Sequence, residues 1–278
     1  MLDYHIHPDF SPDAQGSIEQ FCRRAVAIGM QEICFTTHYE PDPVRAGIER
    51  VIVQGNPVAV DSDWPERYLE EIERCRRRFP ELTIVSGVEV GYELGLEGKI
   101  ANFLSRYRFD FVLGAVHCLD HVAITSRKEL DDFQSHLKPL GAGYLARRYF
   151  EYVRAAAGSR LFDCLAHLDI WRKYISSGIG AEFEPAIQPW ITPMLETIVR
   201  SGVGLEINTS ALRRGDREPY PAAAIVLQAV KLGVRVFTIG SDAHRPQELG
   251  EGIDCAYQLL KRFGMKPARF RDRRPICG

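Results

Sequence analysis

The chain has 278 residues, 45% hydrophobic and 26% charged, with a formal net charge of -2. Such a length holds one barrel-sized domain or two smaller ones, and the near-neutral charge provides no field to attract nucleic acid or acidic lipid. No apolar run approaches the roughly 20 residues that span a membrane, and residues 1–5 lack the basic and apolar regions of a signal peptide. The cysteines (Cys22, Cys34, Cys75, Cys118, Cys164, Cys255 and Cys277) are scattered without a C-x-x-C pair. They read as reduced, mostly packed thiols of a cytoplasmic protein.

In chain order, short apolar runs alternate with helical patterns. A strand-length run at 2–6 leads to a helix at 17–28, with Ser17 and Gln20 at capping-box spacing and Gly29 as a stop. A strand at 32–37 precedes a helix at 63–79, where Asp63 and Glu66 repeat the box and Pro80 ends the pattern. Strands at 83–90 and 109–116 come next. A helix at 143–157, a strand at 162–166, a helix at 186–200 and a strand at 203–207 follow. A helix at 221–232, a strand at 235–239 and a helix at 247–263 complete the series. Strand–helix alternation predicts a parallel sheet, and strands that are apolar throughout predict cover on both faces. Polar residues mark nearly every strand end rather than one switch point, which favours a closed barrel over an open sheet.

Six of the eight histidines fall at or just past a predicted strand end: His5, His7, His38, His117, His167 and His244. Glu89 sits near the end of the third strand and Asp242 just after the seventh. Residues two apart on a strand face the same side, so His5 with His7, and Asp242 with His244, each offer two donors toward one ion. In a parallel barrel all strand ends share one rim. The mixed set exceeds the four ligands of one tetrahedral site and implies two to three divalent ions, with Zn, Mn or Fe suited to the imidazoles. His121 and His136 read as ordinary polar-region residues.

Paired ions lower the pKa of a shared water and take up charge on phosphoryl oxygens, which points to hydrolysis of a phosphate ester. The sequence has no G-x-S-x-G and no G-x-x-x-x-G-K-[ST]. Cys118, beside His117, reads as a packed thiol rather than a nucleophile. Arg172–Lys173 after the fifth strand and Arg213–Arg214 after the sixth offer phosphate clamps, with Arg172 and Arg213 the expected substrate contacts. The basic runs Arg23–Arg24 and Arg76–Arg78 lie on helices and are expected to face solvent.

The ordered motifs Asp3-Tyr4-His5-Ile6-His7, Thr37-His38-Tyr39, Gly87-Val88-Glu89, Gly114-Ala115-Val116-His117, Ala166-His167-Leu168-Asp169, Glu206-Ile207-Asn208-Thr209-Ser210 and Gly240-Ser241-Asp242-Ala243-His244 resemble those of the PHP (polymerase and histidinol phosphatase) superfamily. Within it they resemble the stand-alone histidinol-phosphatases. The resemblance implies an α/β fold, a distorted TIM-like (β/α)7 barrel with its metal centre at the C-terminal rim, as a single domain over 1–278. It implies a trinuclear centre: His5, His7, Glu89 and Asp242 on one ion, Glu89, His117 and His167 on a second, Asp13, His38 and His244 on a third. Without the resemblance, Asp13 reads as a loop residue before a helix. Glu89, Asp242 and His244 are implied as catalytic. The implied reaction is hydrolysis of L-histidinol phosphate in histidine biosynthesis, on a small phosphate monoester, without nucleic acid or membrane.

Long segments at 40–62, 118–141 and 168–185 are expected to wall the substrate pocket. A PHP-type phosphodiesterase or nuclease would share every ligand but needs a basic groove with stacking aromatics, which the charge does not support. A metal-stabilised binding module would be expected to have lost ligands, and none of the core set is missing. A non-PHP amidohydrolase can also begin with His-x-His, but normally builds eight strands and often uses a lysine at a strand end.

Overall fold

The structure is a computed structural model that describes residues 1–276, so Cys277 lies outside the described residues. Among these residues a seven-stranded sheet forms from β1 (Leu2–Ile6), β2 (Glu32–Tyr39), β3 (Thr83–Gly91), β4 (Phe111–Ala115), β5 (Cys164–Leu165), β6 (Gly204–Asn208) and β7 (Phe237–Gly240). The strands pair in sequence order, all parallel. The sheet then curls until the end of β1 meets the segment after β7: His7 N donates to Ala243 O at 2.9 Å, within a parallel bridge between Ile6 and Ala243. The expected (β/α)7 barrel is what these residues build.

Asp3 fastens the seam from inside the wall. Its carboxylate accepts from Ser241 N at 2.9 Å, Ser241 Oγ at 2.5 Å and Gly250 N at 3.1 Å. Burial pushes its pKa up, against the pull of the Ser241 hydrogen bonds.

The major helices lie between consecutive strands and after the last: α1 (Ile18–Ala27), α2 (Trp64–Arg78), α3 (Glu97–Arg106), α4 (Gly141–Ser159), α5 (Phe183–Ser201), α6 (Ala223–Leu232) and α7 (Ile253–Arg262). The Ser17–Gln20 capping box forms at the start of α1. The expected box at Asp63 does not: its carboxylate is drawn to Arg106 and Tyr107, at 2.8 and 2.9 Å. A charged partner and a phenol outside the helix outcompete a backbone amide here. Helix α3 has no counterpart in the sequence reading. It buries only Ile100 and Phe103 and lacks a side-chain N-cap, so its periodic signal is thin.

Two apolar layers result. One fills the space between barrel and helices. The other, with Leu2, Tyr4, Cys34, Phe111 and Leu113, fills the barrel interior. A short antiparallel hairpin of residues Arg269–Arg271 and Arg274–Ile276 closes this interior from below. Phe270 enters the layer 4.9 Å from the Phe111 ring, and its amide donates to the Tyr4 hydroxyl at 2.8 Å. Phe270→Ala should therefore open a cavity and cost about 3–5 kcal/mol of stability, read by urea denaturation. An unchanged midpoint would mean the hairpin does not plug the barrel.

Candidate metal centre

Placing His5 on the inner wall takes a local irregularity. Asp3 pairs with Ile33 and Ile6 with Phe35, so three steps on β1 match two on β2. Such a bulge breaks the inward–outward alternation. Tyr4 and His5 both face the interior, and Ile6 turns to the outer layer. His5 Nδ1 lies 2.6 Å from Glu206 Oε1 on β6. With that nitrogen donating to the carboxylate, Nε2 presents its lone pair to the rim. Glu206 fits because β7 ends in Gly240: a Cβ there would collide with the Glu206 carboxylate and with His5. Glu206 Oε2 also accepts from His167 N at 3.0 Å, so one buried carboxylate steadies two strand ends.

Glu89 on β3 is the hub. Its Oε2 lies 3.3 Å from His5 Nε2, 3.4 Å from His7 Nε2 and 3.0 Å from His38 Nδ1. Its Oε1 lies 3.3 Å from His117 Nε2 and 3.1 Å from His167 Nε2. Asp242 Oδ1 closes the first group, 3.6 Å from His5 Nε2 and 3.4 Å from His7 Nε2. His117 is oriented as His5 is, by Glu40 at 2.6 Å from Nδ1. Gly91 leaves the room that Glu40 occupies. In the third group His244 Nε2 is 3.3 Å from Asp13 Oδ2, and His38 Nε2 is 3.8 Å from Asp13 Oδ1. Gln15 N, donating to His244 O at 2.7 Å, ties the Asp13 loop to this rim. All nine residues expected as ligands therefore lie at one rim, where Glu89 is shared by the first two groups and His7 stands with His38 and His244 of the third.

The electrostatics match a cation-binding set. Burial works against charge on Glu89 and Asp242, yet the imidazoles around them, His5 foremost, hold both carboxylates well below their usual range. Burial likewise opposes the charge on His5 and His117, but Glu206 and Glu40 respectively lead in holding these imidazoles well above theirs. Desolvation opposes charge on the partly buried His38, but Asp13 and Glu89 beside it raise its pKa to about 9. His7 goes the other way: burial, then His38 and His244, push it well below. Glu89 Oε2 faces three ring nitrogens yet accepts no aligned hydrogen bond among the described residues. An oxygen aimed with imidazole nitrogens at a shared point, rather than at any one of them, fits a divalent ion.

Two backbone positions at the centre have a positive φ without being glycine: His167 at 28° and Asp242 at 55°. Such conformations persist only where surroundings impose them. The His167 amide is held by Glu206. Arg213 holds the other position, donating to Ser241 O at 2.6 Å and Asp242 O at 2.7 Å.

Above the donors lies a cavity of about 480 Å³, walled in part by residues of the three long segments expected to do so. Its wall includes Lys173 and Arg214. The expected clamps sit one layer out. Arg213 is engaged with the Ser241 and Asp242 carbonyls. Arg172 pairs with Asp169 at 2.8 Å, donates to Pro219 O and lies over the Tyr220 ring. Cys118 is buried, which pushes its thiol well above the usual value, as befits packing rather than attack. Glu40 and the role of Glu206 escaped sequence reading, because neither is adjacent to the histidine it orients. The signal available was an acidic residue two positions from a strand-end ligand, His38 for Glu40, and on the one predicted strand without a ligand for Glu206.

A nearly closed parallel barrel with clustered imidazoles and carboxylates at its C-terminal rim defines a protein whose rim could hold metal ions. The chain belongs to the PHP domain family, whose model matches residues 3–210. It is 27% identical to a probable histidinol-phosphatase of Deinococcus radiodurans, over 99% of this chain and 98% of that one. It is 29% identical to a probable histidinol-phosphatase of Thermotoga maritima, over 96% and 94%. Among solved structures it resembles the histidinol phosphate phosphatase of Lactococcus lactis complexed with zinc, L-histidinol and phosphate, with a TM-score of 0.80 and 23% identity over 99% and 98% of the chains. Among the described residues no helix is long and apolar enough to cross a membrane.

Glu206→Gln keeps the shape but weakens the hold on His5 Nδ1. Metal affinity should fall about 10–100-fold, measured by competition with a chromophoric chelator, while far-UV circular dichroism stays unchanged. An unaltered affinity would show that Glu206 does not orient the site.

Proposed function

We propose that the chain is a histidinol-phosphatase, converting L-histidinol phosphate and water to L-histidinol and phosphate, a cytoplasmic step of histidine biosynthesis. The observation that carries this reading is the Glu89-centred donor set opening into a cavity that also presents Lys173 and Arg214. Multiple cations around one mouth suit a compact phosphate dianion. The names of the relatives, which match nearly end to end, support the same substrate.

Two to three divalent ions, Zn, Mn or Fe, would be held here. His5, His7, Glu89 and Asp242 would hold the first, Glu89, His117 and His167 the second, and Asp13, His38 and His244 the third. Such ions, when bound, neutralise phosphoryl oxygens and make a water acidic enough to attack near neutral pH. The chain's residues position everything else. Glu89 joins the first two groups, and Asp242 with His244 joins the first to the third. These three residues border the cavity, and we assign them the catalytic role. Lys173 and Arg214 contact the phosphoryl oxygens, and Arg172 and Arg213 order the loops that carry them. The water oxygen bonds to phosphorus, the ester P–O bond breaks, and the leaving alkoxide takes up the proton that the water gives up.

Purified protein supplied with Mn or Zn should hydrolyse L-histidinol phosphate and leave a dinucleotide intact. Turnover of the diester alone, or of neither compound, would contradict the assignment. Asp242→Ala should lower kcat by at least about a hundredfold and release metal from a folded barrel. Arg214→Ala should instead raise KM about tenfold, the loss of one charge-assisted hydrogen bond, with bound metal unchanged. If both variants lost metal equally, the separation of roles would fail.

A further inference from the structure

A second set of donors lies outside the three groups already described. Asp42 comes four residues after His38, Glu93 four after Glu89 and His121 four after His117. The loops after β2, β3 and β4 bring the three together, and one ligand atom from each lies within 4.8 Å of the others. His121 Nδ1 is 2.8 Å from Asp42 Oδ2, and Asp42 Oδ1 accepts from Val44 N at 3.0 Å.

Glu93 is only 6% exposed. Its Oε1 accepts from the Tyr152 hydroxyl, while Oε2 is buried with no hydrogen-bond partner among the described residues. An ion pair between Asp42 and His121 explains their contact but leaves this oxygen unaccounted for, and an unpaired buried carboxylate oxygen is costly. Burial, with the Asp42 charge adding to it, holds the Glu93 pKa above its usual value, against the pull of the Tyr152 hydroxyl, the His121 imidazole and the nearby His121 backbone amide, which is not aligned for a full hydrogen bond to Oε2. A single imidazole cannot balance two carboxylates.

We propose that Asp42, Glu93 and His121 form an auxiliary site for one divalent cation of the Zn2+ or Mn2+ type, separate from the rim centre. One imidazole and two carboxylates suit such an ion, with a coordination position left for water. The cation takes the Glu93 Oε2 lone pair and replaces the proton shared between Asp42 and His121. Its role is structural, because it staples the loops after β2, β3 and β4. Arg45, on the cavity wall, connects the staple to that wall. It donates to His121 O at 3.1 Å and pairs with Glu129 at 2.8 Å.

The test is a metal count. Wild type, His121→Ala and Glu93→Gln are stripped with chelator, dialysed to equilibrium against Zn2+ and analysed by atomic emission. His121 is 45% exposed at a hairpin tip, so its loss should leave the barrel folded, as circular dichroism would verify. Each variant should bind one equivalent fewer than wild type and keep the rest. In a zinc-soaked wild-type crystal an anomalous peak should stand between the three residues. Equal counts in all three proteins would overturn the proposal. So would loss of every ion from His121→Ala, or a crystal without that peak in which Asp42 and His121 remain hydrogen-bonded.

Discussion

Everything at the rim depends on one buried carboxylate surrounded by imidazoles. Glu89 is 1% exposed and has five histidine nitrogens within 3.4 Å, three toward one oxygen and two toward the other. Those histidines come from β1 and the residue after it, from β2 and from the segments after β4 and β5, spread over more than 160 residues of chain. Only a closed parallel arrangement turns every strand end toward one mouth. Removing so many polar groups from water is unfavourable unless they find partners. Cations bound at the shared points would offset that cost, which is why the metal reading accounts for the fold as well as the chemistry.

Around this hub a supporting layer does the aiming. Glu206 and Glu40 each take one ring nitrogen of a histidine and leave the other free to bind. Gly240 and Gly91 are glycines because those carboxylates occupy the space a side chain would need. Arg213 grips the two carbonyls that set the backbone at Asp242. Asp3, a member of the first motif yet no ligand, joins the two ends of the sheet. Much of what the motifs contain is therefore support for ligands rather than ligands themselves.

The barrel and its donors were legible because their signals are local. A strand of Val, Ile and Phe ending in His or Asp announces both its type and its polar tip. Residues acting across the barrel left no such mark: the pairing of Glu206 with His5 spans 201 positions. Competition hid other features. The cap at Asp63 was lost to Arg106 and Tyr107, and the short burial stripe of α3 fell below what periodicity can reveal. The plugging hairpin at Phe270 shows its purpose only once the floor of the barrel exists. Asp13, weakly supported by its local sequence, meets His38 and His244 only because its loop is tied back to the rim.

The most direct measurement is anomalous diffraction from crystals of the metal-loaded protein, collected at the absorption edge of the bound element. Two ions should then appear beside Glu89, one near His117 and His167 and the other near His5, His7 and Asp242. A single ion that does not touch Glu89, or no ion among these residues, would contradict it.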